Sequence, residues 1–159
     1  NVAPLFPFGF GLSYTTFTYS SLSVSPGFAV GQGRIAVSFD ITNAGQMAGA
    51  EAAQVYVSQR GSALPRPVKE LKGFTKVFLQ PGQTQRVTVF LDQRSLSYFD
   101  PARNAWVSEA GAVDILVGAS SQDIRLRGQL FNILPSVVTP RASNPLPDPT
   151  LVQLGPVHP

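Results

Sequence analysis

Between residues 15 and 131 the hydrophobic pattern runs in short stretches with a period of two, the repeat of a half-buried strand. Residues 34–42, RIAVSFDIT, alternate cleanly: Ile35, Val37, Phe39 and Ile41 share one face, Arg34, Ser38, Asp40 and Thr42 the other. In QRVTVFL (85–91), Val87, Val89 and Leu91 alternate with Arg86, Thr88 and Phe90. EAAQVYVS (51–58) sets Ala53, Val55 and Val57 on one face and Gln54 and Tyr56 on the opposite one. TFTYSSLSV (15–23), KELKGFTKVFL (69–79), LSYF (96–99), NAWV (104–107), AVDILVG (112–118) and DIRLRGQLFNI (123–133) are further strand candidates. Turn signals stand between them: Asn43-Ala44-Gly45, Gln80-Pro81-Gly82-Gln83 and Asp100-Pro101. No stretch has the length and repeat of a helix.

About seven to nine strands with turns every 8–12 residues predict an all-β fold, an immunoglobulin-like or fibronectin type III-like antiparallel β-sandwich. Val37, Phe39, Val55, Val89, Trp106, Ile115 and Val117 are expected between its two sheets. Trp106 and Tyr98 are its expected anchors, since each buries a ring and turns a polar atom to backbone. The flanks differ in composition. Residues 1–14, NVAPLFPFGFGLSY, are too rich in Gly and Pro for a long helix or strand, yet carry Phe6, Phe8 and Phe10. Residues 134–159 hold seven of the fourteen prolines and predict an extended, polyproline-like tail. That tail keeps Val137, Val138, Leu146, Leu151, Val152 and Leu154, more apolar than a free tail, and is expected to lie on a surface. The division is therefore a junction segment (1–14), a sandwich (15–133) and a Pro-rich C-terminal extension (134–159).

Composition narrows the chemistry. Only 13% of the 159 residues are charged, about half the ~25% of an ordinary soluble domain, which suits a partly covered surface. There is no Cys and the one His is His158, so disulfides, a thiolate nucleophile, a His-based metal cluster and a Ser-His-Asp triad are excluded within the chain. No cofactor or metal site is expected. No apolar run approaches the roughly 20 residues that span a bilayer as a helix, so no membrane partner is expected. The net charge of +3 comes from three Lys and nine Arg scattered from Arg34 to Arg141, unlike the one-faced cationic patch of a nucleic-acid binder. The chain opens at Asn1 rather than Met and reads as a piece of something longer.

Three groups of residues are candidates for function. The nine carboxylates fall at strand ends, outward positions and turns, as solvated charges and caps do. The loop Arg60-Gly61-Ser62-Ala63-Leu64-Pro65-Arg66-Pro67 is stiffened by two Pro; it is either a crossover between sheets or a contact made by Arg60 and Arg66 with a neighbouring domain or a sugar hydroxyl. Phe6, Phe8 and Phe10 lack a polar handle and suit a protein interface better than sugar stacking.

PLFPFGFGLSYTTFTYSSL (4–22) resembles the junction that opens the C-terminal fibronectin type III-like domain of family 3 glycoside hydrolases, the β-glucosidase and β-xylosidase family. TNAGQMAGAEAAQVYVS (42–58), LPRPVKELKGFTKVFLQPGQT (64–84) and the series LSYFD (96–100), Trp106 and GAVDILVGASSQDIRL (111–126) are similar to the same family in the same order. The resemblance covers residues 4 to about 131 and has no counterpart after Ile133. It implies an accessory domain, with the nucleophilic Asp on an upstream (β/α)8 barrel and the acid/base Glu on an α/β sandwich, both outside this chain. It implies as partners those catalytic domains, contacted through Phe6, Phe8, Phe10 and Tyr14, and a loop carrying Arg60, Leu64 and Arg66 on the active-site side, in reach of an oligosaccharide.

The chain alone is then expected to be non-catalytic, to buttress the catalytic domains and to shape the active-site rim. The alternatives are an independent carbohydrate- or cell-wall-binding module and a self-standing interaction domain with the tail as ligand. The expected location is secreted or periplasmic, with the cytoplasm as alternative, and weak self-association is expected from the apolar junction.

Overall fold

Alternation becomes strand pairing in the computed structural model, which describes residues 4–25, 34–132 and 136–138. In chain order the strands are β1 (Phe17–Ser25), β2 (Ile35–Asn43), β3 (Gly49–Gln59), β4 (Glu70–Leu79), β5 (Thr84–Leu91), β6 (Tyr98–Asp100), β7 (Ala105–Ser108), β8 (Gly111–Gly118), β9 (Ile124–Asn132) and β10 (Ser136–Val138). They form a three-stranded sheet β1-β2-β5, a four-stranded sheet β4-β3-β8-β9 and a small sheet β10-β7-β6. Every pairing is antiparallel.

The two larger sheets face each other through their apolar positions, as a fibronectin type III-like sandwich does. Ile35, Val37, Phe39 and Ile41 of β2 meet Val55 and Val57 of β3 and Ile115 and Val117 of β8 in one core cluster, all essentially inaccessible to solvent. Register keeps the faces consistent: Val37 lies opposite Val89, and Val55 opposite Val117. Removing the Phe39 side chain from such a core costs about 3–5 kcal/mol. The turn from β4 to β5 is set by Gln80-Pro81-Gly82-Gln83. Pro81 supplies the first central residue, Gly82 takes φ +74°, and the Gln83 amide donates to the Gln80 carbonyl at 3.0 Å.

The structure departs from the sequence expectation in three places. Trp106 does not lie between the two large sheets. Alternation in β7 buries Ala105 and Val107 and turns Trp106 outward, where it is half-buried. Its ring meets Phe99 edge-on at 5.7 Å, and the Arg94 guanidinium sits 4.2 Å from its centre. Tyr98 is likewise half-buried in the small sheet. Leu96 joins the core from the preceding stretch, on a 3-10 turn over Gln93–Leu96 that Asp92 caps by accepting from the Ser95 amide.

Second, Gln54 and Tyr56 point away from the core and are nonetheless buried, as is Leu116 opposite Tyr56. The outer face of β3 is covered at Gln54 and Tyr56, while Ala50 and Ala52 stay exposed. Third, part of the Pro-rich stretch pairs. Ser136–Val138 run beside β7 as an edge strand, with the Ser136 and Ser108 hydroxyls 2.9 Å apart. Leu146, Leu151, Val152, Leu154 and His158 lie outside the described residues.

Candidate interdomain surface

What covers Gln54 is the chain's own entering segment. Pro4 and Pro7 keep it out of regular structure, and the Phe10 amide closes a turn on the Pro7 carbonyl at 3.0 Å. Gly9 takes φ +80° directly over Gln54; a Cβ there would fall 2.3 Å from the Gln54 side chain, so glycine is required twice over. The Gln54 amide group donates to the Gly9 carbonyl at 3.3 Å and to the Ala119 carbonyl at 2.7 Å, and Tyr56 donates its hydroxyl proton to the Gln54 oxygen. The Ser121 amide donates to the Phe8 carbonyl at 2.9 Å. The backbone of the segment is thus pinned to the sheet while its rings are not. Phe6, Phe8 and Phe10 remain 62%, 67% and 49% exposed, and Tyr14 93%. Phe6 and Phe10 pair with ring centres 5.1 Å apart.

Where the segment joins the sandwich, Asn43 organises the junction. The Thr15 hydroxyl donates to its side-chain oxygen at 2.6 Å and the Gly45 amide at 3.1 Å, while its nitrogen donates to the Met47 and Leu79 carbonyls. Its own backbone exchanges bonds with Gln83 and Gly82 of the β4–β5 turn. Beside it an open groove of about 360 Å³ is lined by Phe10, Ser13, Phe17, Glu51, Ser120 and Arg125 among others. Its charges are already matched. Arg125 pairs with Asp123 at 2.7 Å and Glu51 at 3.6 Å, donates to the Phe17 carbonyl and lies over the Tyr19 ring. The Tyr19 hydroxyl donates to Glu51 at 2.9 Å, and burial together with that carboxylate pushes its pKa well above the usual phenol range.

The loop after β3 is built on two struts. Arg66, with a side chain only 7% exposed, donates to Glu70 through Nε and Nη2 and to Gln59 through Nη1, and lies over the Tyr98 ring. Lys72 holds the other Glu70 oxygen at 2.8 Å. Burial alone would raise the Glu70 carboxyl, but the bonds from Lys72 and Arg66 outweigh it and hold the group below its ordinary value. Glu109 accepts from the Ser62 hydroxyl at 2.6 Å and from the Ala63 amide at 3.0 Å. Of the three residues singled out in sequence, Arg66 is therefore turned inward as a strut. Arg60 and Leu64 stay at the surface, Arg60 paired with Asp114 at 2.8 Å.

Each of the eight carboxylates among the described residues has a partner in a hydrogen bond or ion pair, the remaining ones being Asp40 with Arg86, Asp92 with Ser95 and Asp100 with Arg103. Gln54, Asn43 and Glu109 escaped the sequence reading as functional positions. A polar residue amid Ala53, Val55 and Val57 was the one visible signal for Gln54, and strict alternation assigned it to solvent.

Residues 51–121 match the fibronectin type III-like domain family. The chain is 46% identical over 126 residues to a probable beta-glucosidase H from Neosartorya fischeri, an alignment that covers 79% of this chain and 15% of that protein. Its fold superposes on beta-glucosidase 3B from Thermotoga neapolitana, solved in complex with glucose, with a TM-score of 0.80 at 38% identity, over 87% of this chain and 19% of the other. A GH3 beta-glucosidase from Bifidobacterium adolescentis matches with a TM-score of 0.74 at 40% identity, over 79% of this chain and 18% of the other. The aligned stretch thus spans 15–19% of the length of these proteins. In sequence and in fold the chain thus matches the fibronectin type III-like region of GH3 beta-glucosidases, a small, non-catalytic part of those enzymes.

Proposed function

We propose that this domain serves as the accessory brace of a family 3 β-glycosidase, β-glucosidase-like in hydrolysing terminal β-linked sugars. It docks on the catalytic domains through Phe6, Phe8, Phe10 and Tyr14. Residues 1–14 are the junction, 15–133 the brace and 134–159 an extension. The observation that carries this reading is the pinned segment itself: its backbone is bonded to Gln54 and Ser121, yet three phenyl rings stand more than half or close to half in water. A chain with so few charges gains nothing by displaying them to solvent. In this reading the loop with Arg60 and Leu64 at its surface, and Arg66 as its strut, belongs to the active-site rim in reach of an oligosaccharide. A secreted or periplasmic enzyme fits this reading. The likeness to an enzyme solved with glucose supports it too.

The test replaces Phe6, Phe8 and Phe10 together by Ser, in this chain and in the whole enzyme that carries it. Covering a phenyl ring fully is worth roughly 1.5–3 kcal/mol, and these rings are already partly covered. The whole enzyme should therefore lose about 3–5 kcal/mol of domain stability, while the chain alone changes little. Equal effects in both would refute the docking role.

A further inference from the structure

The two outer faces of the sandwich are chemically unlike. On the three-stranded sheet the Ser38 hydroxyl meets that of Thr88 at 2.8 Å, Thr42 meets Thr84 at 2.7 Å, and Arg86 meets Asp40 at 3.0 Å. Those six side chains satisfy one another, while Phe90, opposite Ala36, stands 61% exposed beside them. The β4 edge of the four-stranded sheet has no such polar closure. Phe74 and Phe78 point outward, 69% and 62% exposed, beside the small Ala50 and Ala52 of β3. Lys76 stands between them, opposite Ala52, with no carboxylate partner among the described residues.

This face is continuous with the entering segment. Phe74 is the cross-strand partner of Gln54, and partners on one face have Cβ atoms about 5 Å apart. Gly9 sits directly on Gln54, and Phe8 and Phe10 flank Gly9. Five phenyl rings of about 200 Å² each, roughly 60% uncovered, present on the order of 600 Å² of apolar surface, the upper end of what a free monomer tolerates.

We infer that the outer face of the β4–β3 edge, through Phe74, Lys76 and Phe78, is part of one interface with the entering segment, and that its occupant is the catalytic portion of the same enzyme. The inference rests on the docking role proposed above and extends it to a sheet face. Two observations choose the occupant. The entering segment reaches this face at Gly9, over Gln54, and more than four-fifths of the similar β-glucosidases lies outside the aligned stretch. The outward positions Ala50, Ala52, Gln54, Phe74, Lys76 and Phe78 include a cation and no carboxylate, so a second copy offers Lys76 no counter-charge. A lysine between two exposed rings also discourages strand-to-strand pairing of copies. The occupant therefore brings apolar surface and an acidic side chain opposite Lys76.

Hydroxyl-radical footprinting reads this directly, comparing this chain, diluted until it sediments as a monomer, with the whole enzyme that carries it. Phe74 and Phe78 should oxidise several-fold more slowly in the enzyme, while Phe131, exposed on β9 at the far edge of the same sheet, reacts equally in both. If Phe6, Phe8 and Phe10 are protected but Phe74 and Phe78 are not, the docking role stands and this inference is overturned. If none of the five is protected, both fail. Protection that appears only at concentrations where the enzyme dimerises assigns the face to a second copy and also overturns it. K76E should lower the melting temperature of the enzyme and leave that of the chain unchanged; an unchanged enzyme removes the acidic partner.

Discussion

Asn43 sits where three pieces of chain meet and ties them together beyond their strand pairing: the Thr15–Thr16 entry, the 44–48 turn and the β4–β5 turn. It has no solvent exposure, and its side chain makes four hydrogen bonds, two donated and two accepted. A buried polar group is stabilising only while its partners are present; losing them leaves carbonyls unsatisfied at about 1–3 kcal/mol each. We expect Asn43→Ala to lower stability by about 3–4 kcal/mol, the Leu79 and Met47 carbonyls both losing their donor. Asn43→Asp should be no milder. It keeps the oxygen that Thr15 and Gly45 need but turns a second oxygen toward the Leu79 carbonyl. Urea unfolding of the two variants checks both statements, and a loss under about 1 kcal/mol for Asn43→Ala would mean that water replaces the side chain.

At the scale of elements, the loop after β3 is tied to β4 by a clamp of Arg66, Glu70 and Lys72, and the clamp has a pH signature. The Glu70 pKa is lowered from its ordinary 4.5, so the folded state binds that proton less readily than the unfolded chain. The stabilisation is then fully present above about pH 4.5 and is lost as the pH falls through the lowered folded value. With its arginine mostly buried, the clamp is worth on the order of 1 kcal/mol. We expect Glu70→Gln to be less stable than the parent by that amount at pH 7, with the gap closing toward pH 3; a gap constant with pH would place the effect elsewhere. The strands themselves were legible because β2 and β5 present one face to a core and one to water, so period-two alternation maps onto burial. Legibility ended where that condition failed. Gln54 is buried on the outer face because Gly9 lies over it, and Tyr56 bonds to Gln54 beside it, a tertiary event with no local trace. Trp106 misled because size alone suggests a core anchor, whereas its phase in β7 turns it outward. The pairing of Ser136–Val138 was hidden between Pro135 and Pro140, which suit an edge strand but remove the pattern that announces one. Asn43 was visible only as a turn residue, since the backbone groups it serves come from positions up to 36 residues away.

For the whole molecule, the distribution of surface matters more than its amount. One outer sheet face matches its hydroxyls and charges internally and exposes Phe90; on the other, the β4 edge and the entering segment leave five phenyl rings uncovered, with Phe131 exposed at the far edge. Net charge is only +3, a weak repulsion at physiological ionic strength, where the Debye length is about 8 Å. Nothing long-ranged therefore keeps two copies apart, and contact of two such faces removes apolar surface from water at about 25 cal/mol per Å². Against this stand the unmatched Lys76 on each copy and the loss of translational and rotational freedom, several kcal/mol or more. The balance predicts weak association, with dissociation constants of the order of 0.1–1 mM, about −4 to −5.5 kcal/mol. Sedimentation velocity from 10 µM to 1 mM should show a rising weight-average coefficient for this chain alone. Changing Phe6, Phe8 and Phe10 to Ser should flatten that rise, and adding Phe74→Ser and Phe78→Ser should abolish it. In the whole enzyme the rise should be absent, because the same rings are already covered from within. A chain that stays monomeric across that range, with all five rings intact, would mean that the rings are individually too separated to form a common face.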